Sequence, residues 1–126
     1  MTTHLDTHVA LWLAAGERRR LRPAQVRLRR GPVFVSSIVV VEMEILREIG
    51  RIRHAVSDVL EILAQEHGVE QAIGDLREIG RHARLLGWTR DPFDRLIVAH
   101  ALANGAVLLT ADATIREHCP QARWED

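Results

Sequence analysis

Four acidic residues lie far apart in this 126-residue chain, each beside a short apolar run: Asp6, Glu42, Asp94 and Asp112. Asp6 follows Leu5 and precedes Thr7-His8-Val9; Glu42 is flanked by Val41 and Met43. Asp94 stands three residues after Asp91, and Asp112 closes the run Val107-Leu108-Leu109-Thr110-Ala111. Carboxylates gathered in one cleft repel one another, and without a cation some of them stay protonated. A hard divalent ion, Mg²⁺ or Mn²⁺, removes that conflict, because it takes oxygen ligands and keeps several waters. Such an ion can activate a water for in-line attack on a phosphodiester and stabilise the leaving oxygen. Histidine offers a weaker ligand set: His4 and His8 straddle an expected strand end, and His100 lies in an apolar helix as a satisfied core residue. A His-based zinc hydrolase therefore has little support.

The elements that would position these acids are legible in order. The best punctuated is the helix opened by Asp91 and Pro92, an N-cap followed by a residue already set for the first turn. In it Asp94 is placed to bond back to the cap, and Leu96 through Leu102 are largely apolar. A buried strand follows over Ala106–Thr110. A first short strand ends near Leu5, and a helix runs from about Val9 to Ala15. Pro23 opens a second amphipathic helix. Val33-Phe34-Val35 is a second strand, and Ser36 or Ser37 caps a helix whose apolar spacing runs from Ile38 to Ile52. Further expectations are a helix over Val56–Leu63 closed by Gly68, a strand within Val69–Ile73, and a helix from Asp75 to Leu86. The tail after Asp112 holds a short helix and an edge strand near Ala122-Arg123-Trp124. Alternating strands and helices predict a parallel sheet with helices on both faces, and such sheets place sites at the carboxyl ends of their strands. Read singly, Asp91 and Asp94 could serve capping alone, and Asp6 or Thr7 could merely cap the helix that follows.

The length allows one domain, residues 1–126, with a core of its own. The absence of a long apolar run argues against a membrane span, and the N-terminus lacks the pattern of a secretion signal. A lone cysteine, Cys119, excludes a disulfide framework and suits a reducing cytoplasm. Net charge is zero, yet every basic residue is Arg and seven of them fall between Arg18 and Arg30. Arg pairs bidentately with phosphate, which makes Arg18, Arg19 and Arg22 candidate RNA contacts. By helix rise the cluster would begin within about 15–20 Å of the acids, close enough to flank their cleft. A solvated helix face or a protein contact is the competing reading.

Four segments together resemble the PIN-domain family: Leu5-Asp6-Thr7-His8-Val9-Ala10-Leu11-Trp12, Val35-Ser36-Ser37-Ile38 through Glu42, Arg90 through Ala99, and Leu109-Thr110-Ala111-Asp112. Within that family they resemble the VapC-type toxins of bacterial toxin–antitoxin pairs. The resemblance implies a three-layer α/β/α sandwich with a central, mainly parallel sheet. It further implies an Mg²⁺- or Mn²⁺-dependent endoribonuclease that is the toxin of its pair. Asp6, Glu42, Asp94 and Asp112 would be the catalytic, metal-binding acids. Thr110, ahead of Thr7, would be a supporting hydroxyl, and Asp91 would cap the helix that carries Asp94. A cognate antitoxin protein whose tail fills a groove near the site, and a homodimer, are implied as partners. The chain departs from the family at Thr89, often His there, at Val41, often aromatic, and at Val39, often Ser. No motif covers Arg53 to Leu86.

A phospho-aspartate phosphatase is the first rival, but it needs a second Asp two residues after the nucleophile, where this chain has His8. The remaining alternative is a non-catalytic PIN-like module that binds RNA or protein. Its signature would be the loss of one or more of the acids, and all four are present.

Overall fold

The computed structural model describes residues 1–125. Its strands are β1 (Thr3–Leu5), β2 (Val33–Val35), β3 (Glu70–Gln71), β4 (Val107–Leu109) and β5 (Ala122–Arg123). They form one sheet in the order β3-β2-β1-β4-β5, with every pairing parallel. Helices flank the sheet: α1 (Thr7–Ala15), α2 (Arg18–Leu21), α3 (Gln25–Leu28), α4 (Ser37–Glu48), α5 (Val56–His67), α6 (Leu76–Ala83), α7 (Pro92–Ala103) and α8 (Ala113–His118). The expected α/β/α arrangement is therefore the observed one. A strand as short as β1 is stable here because it is central: all three of its residues, and all three of β4, are buried.

The chain order fixes where a site can lie. From β1 the chain moves outward to β2 and β3, then returns to place β4 on the other side of β1. Connections leaving adjacent strands in opposite directions open a crevice at their carboxyl ends. Leu5 is in register with Leu109, and the Asp6 amide extends the pairing by donating to the Leu109 carbonyl at 3.0 Å. Asp6 and the Thr110–Asp112 segment thus leave the sheet side by side.

Several boundaries differ from the sequence expectation. Helix α1 starts at Thr7 rather than near Val9, because Asp6 itself is the N-cap. The helix expected to open at Pro23 is instead a 3-10 turn over Arg22–Ala24 followed by the four-residue α3, with the short α2 ahead of them. Proline supplies no N–H, so the turn tightens around it. Helix α4 stops at Glu48, before Gly50, whose φ of 83° is the left-handed conformation glycine adopts without strain. Strand β3 has only two residues, both exposed at the sheet edge, and α6 ends at Ala83 rather than Leu86. Of the expected unit 1–126, Asp126 lies outside the described residues. Among the described residues, no helix is long and apolar enough to cross a membrane.

Candidate active site at the carboxyl edge

Asp6 is 7% exposed, so both of its oxygens need partners. Oδ1 accepts from the Thr7 amide at 2.9 Å, and Oδ2 accepts from the Thr110 hydroxyl at 2.6 Å. Thr110 also takes the Asp112 amide on its oxygen, at 3.1 Å. The Thr7 hydroxyl donates to Glu42 Oε1 at 2.5 Å, which ties the second turn of α4 to the start of α1. Both threonines therefore support acids. Sequence reasoning ranked Thr110 first and missed the second bond, since nothing in spacing alone brings Thr7 to Glu42.

Asp91 caps α7 as expected: its Oδ1 accepts from the Phe93 and Asp94 amides at 2.9 and 3.2 Å. The reciprocal bond expected from Asp94 is replaced by another. The Asp91 amide donates to the Thr89 hydroxyl at 3.2 Å, so the Asp94 carboxylate is not spent on the cap. Thr89 is one of the departures from the family pattern, and here it does that local work. Asp112 caps α8 through Oδ1, which accepts from Thr114 and Ile115 at 2.8 and 3.1 Å.

The acids share one electrostatic field. Burial raises the pKa of Asp6, against the bonds from Thr110 and Thr7 and the charge of His8, with Asp112 adding a smaller upward push. Glu42 is raised by burial first; the Thr7 bond opposes this, Asp6 and Asp91 add to it, and His8 again lowers. Asp94 is pushed up to about 7, first by burial and then by Asp91, Asp6, Asp112 and Glu42 in turn. The four predicted acids thus influence one another's ionisation, with Asp91 as a fifth contributor. The His8 ring acts on both Asp6 and Glu42 against the effect of burial, and the sequence reading had not singled it out for this. Its position two residues after Asp6, on the first turn of α1, was the available signal.

Oxygen donors without a fixed cationic partner suit a hard cation, and the ion pairs Arg20–Glu17 and Arg81–Glu78 involve none of these acids. Among the described residues, no three His, Cys, Asp or Glu side chains already stand in a metal-holding arrangement. The acids are neighbours in field, not a finished cage.

Arg18, Arg19 and Arg22 are not brought to this edge. Helix α1 must run back antiparallel to β1, so its nine residues carry the chain about 13.5 Å away from Asp6. The segment then ends at Pro32, whose carbonyl accepts from the Thr3 amide where β1 begins. The separation counted along the chain stands, and the direction of α1 turns it away from the acids, so the fold gives this cluster no support as their flank. Arg20 covers the Trp12 ring at 5.1 Å. Arginines nearer the acidic end include Arg90, exposed beside Asp91, and Arg116, whose guanidinium reaches the Ala111 carbonyl at 3.4 Å.

The sequence model of the PIN domain matches residues 4–119. The chain belongs to the PIN-domain family. It is 32% identical over 120 residues to Ribonuclease VapC22 of Mycobacterium tuberculosis (strain ATCC 25618 / H37Rv), covering 93% of this chain and 92% of that protein. In structure it is similar to VapBC2 from Rickettsia felis, solved bound to a DNA fragment from their promoter, with a TM-score of 0.69. That match covers 97% of this chain and 96% of the other at 18% identity, and it supports the PIN-domain fold alone.

A pH dependence follows from Asp94. Its folded pKa of about 7 lies above its ordinary value of 3.8, so the stabilisation from protonating it is complete below the ordinary value and is lost as pH rises through 7. Metal-free protein should therefore show a higher urea midpoint at pH 5 than at pH 8, and Asp94→Asn should reduce the difference. Equal pH slopes in the two proteins would mean that Asp94 is not the strained group.

Proposed function

We propose that this protein is a metal-dependent endoribonuclease of the VapC type, acting as the toxin of a cytoplasmic toxin–antitoxin pair. The observation that supports the reading is the hydrogen-bonded start of such a site: Thr110 and the Thr7 amide hold Asp6 at the ends of β1 and β4, and the Thr7 hydroxyl ties Glu42 to them. A family member named as a ribonuclease, aligned over nearly the whole chain, supports the same reading. Asp6, Glu42, Asp94 and Asp112 would hold Mg²⁺ or Mn²⁺, and the bound ion would supply activation of water and charge stabilisation at the scissile phosphate. The chain's own part is to aim those oxygens. Thr110 and the Thr7 amide orient Asp6, the Thr7 hydroxyl orients Glu42, and Asp91 sets the first turn from which Asp94 projects. The non-catalytic alternative gains nothing, because no acid is missing.

Two partners belong to the proposal. A cavity of about 650 Å³ runs along α1 from His8 past Trp12 towards Ala15, closed on the far side by Ile52, Val59 and Ile62. Its apolar floor and its start beside the acids suit the tail of an antitoxin. The exposed stripe Val41, Ile45 and Ile49 on α4 suits a second copy of the chain, as in the homodimer that the family likeness implies.

Purified protein should cleave RNA with Mg²⁺ or Mn²⁺ and lose this activity with chelator. Asp94→Asn should lower kcat by at least about 100-fold, on the order seen when a key electrostatic group is removed. Asp91→Asn, which keeps a good cap, should remain active. Similar losses in both folded variants would defeat this division of roles.

Binding of single-stranded RNA by the Asp94→Asn protein should weaken with salt. Replacing Arg90 and Arg116 with Ala should flatten that dependence by about 0.7 in logarithmic slope for each phosphate left without its arginine. Replacing Arg18, Arg19 and Arg22 should leave the slope as it was. The reverse pattern would return the N-terminal cluster to the RNA path.

For assembly, sedimentation should give a dimer for wild type and a monomer for Ile45→Glu, whereas Ile52→Glu should lose the antitoxin and stay dimeric. A wild-type monomer would remove the α4 stripe as a subunit contact.

A further inference from the structure

His100 is buried towards the C-terminal end of α7, away from the acids, and its ring makes an unusual set of bonds. Nδ1 lies 2.7 Å from the Ser36 hydroxyl and Nε2 lies 3.3 Å from the Ile73 carbonyl. A carbonyl only accepts, so Nε2 carries the proton and Nδ1 accepts from Ser36. Ser36 Oγ then accepts the Ile38 amide at 3.1 Å, which is the N-cap of α4. One imidazole thus joins the start of α4, the later part of α7 and the loop after β3. Asn104, one turn further along α7, donates to the same Ile73 carbonyl at 2.9 Å and to His4 Nε2 at 3.2 Å. Burial, with help from His100, lowers the His4 pKa to about 4, which keeps that ring neutral and able to accept. The arrangement has no slack at Gly74, where a Cβ would stand 2.4 Å from His100 Nε2.

We propose that His100 is a positioning residue for the acidic site: through Ser36 it sets the spacing of α4 and α7, and with it the spacing of Glu42 and Asp94. The proposal rests on the ribonuclease reading of those acids. Glu42 lies six residues after Ser36 and Asp94 six residues before His100, so each is about 9 Å along its helix from the shared bond. Glu42 has a second tether in the Thr7 hydroxyl. Asp94 has none: among the described residues, no hydrogen bond holds its carboxylate. Where that carboxylate stands depends on where α7 stands, and the Ser36–His100 bond is a direct polar tie between α7 and the helix carrying Glu42.

Four variants divide the relay. His100→Asn keeps an acceptor where Nδ1 was, for the Ser36 hydroxyl. His100→Gln keeps a donor nearer the Ile73 carbonyl and loses that acceptor; His100→Leu loses both. Gly74→Ala leaves every polar group in place and pushes the ring aside. Mn²⁺ binding by calorimetry, kcat and KM for RNA, and exchange of the Ile38 amide would be measured well below each melting temperature. The expected result is Mn²⁺ affinity about 10-fold weaker in His100→Leu, His100→Gln and Gly74→Ala, the lower end of what outer partners contribute. Their kcat should fall, KM should not change, and His100→Asn should recover most of the loss. Wild-type Mn²⁺ affinity in folded His100→Leu or Gly74→Ala would overturn the proposal, as would no recovery in His100→Asn. If the wild type itself neither binds Mn²⁺ nor cleaves RNA, the ribonuclease reading fails. The tie between the helices is then judged on Ile38 exchange alone, faster in His100→Leu if it exists and unchanged if it does not.

Discussion

A carboxylate buried between the two central strands is the constraint that the rest of this structure satisfies. Asp6 sits where β1 leaves the sheet, with one oxygen on the Thr7 amide and the other on the Thr110 hydroxyl. Leaving such a group without partners costs about 1–3 kcal/mol, and more when it is charged. Thr110 must therefore follow β4 in register, and β4 must lie beside β1, for Asp6 to be tolerated at all. The parallel pairing of Leu5 with Leu109 delivers that geometry, and the chain reversal between β2 and β4 opens the crevice into which the carboxylate faces.

Backbone amides hold several of these acids. Asp6, Asp91 and Asp112 each cap a helix, so the positive ends of α1, α7 and α8 point into the acidic edge. Those amides offset part of the repulsion without committing an arginine. What is left falls on Asp94, whose carboxyl is driven to about 7. Burial and the neighbouring acids together make its charged form costly. Asp94 is free of its own cap, a freedom that Thr89 provides by taking the Asp91 amide.

Rigid placement of α7 matters for the same reason. Arg95 looks like a candidate for substrate, one residue after Asp94, yet its guanidinium donates to the carbonyls of Ala83, Thr89 and Arg84 and closes the turn from α6 to α7. Its charge is used for architecture. Towards its C-terminal end, His100 and the C-cap Asn104 clamp α7 to the Ile73 carbonyl, and His100 reaches Ser36. The two ends of this helix thus have different tasks: the first turn presents an acid, and the later turns hold it still.

Much of this was readable in the residues. Asp91-Pro92 announced α7, Val107-Leu108-Leu109 announced a buried strand, and Ser36 announced α4, because caps and apolar runs act over a few residues and leave local signatures. The spacing of Asp6, Glu42, Asp94 and Asp112 relative to those elements, together with the PIN-domain likeness, was enough to nominate the acids. Tertiary structure alone decided the rest. It bonded Thr7 to Glu42 across 35 residues and put His8 in the field of Asp6 and Glu42. It also joined His100 to Ser36 across 64 residues. Long-range pairs of this kind depend on strand order and helix direction, which no local pattern encodes. The arginine cluster is the plainest case: its distance from Asp6 could be counted along the chain, but only the antiparallel return of α1 sent it to the other edge of the sheet.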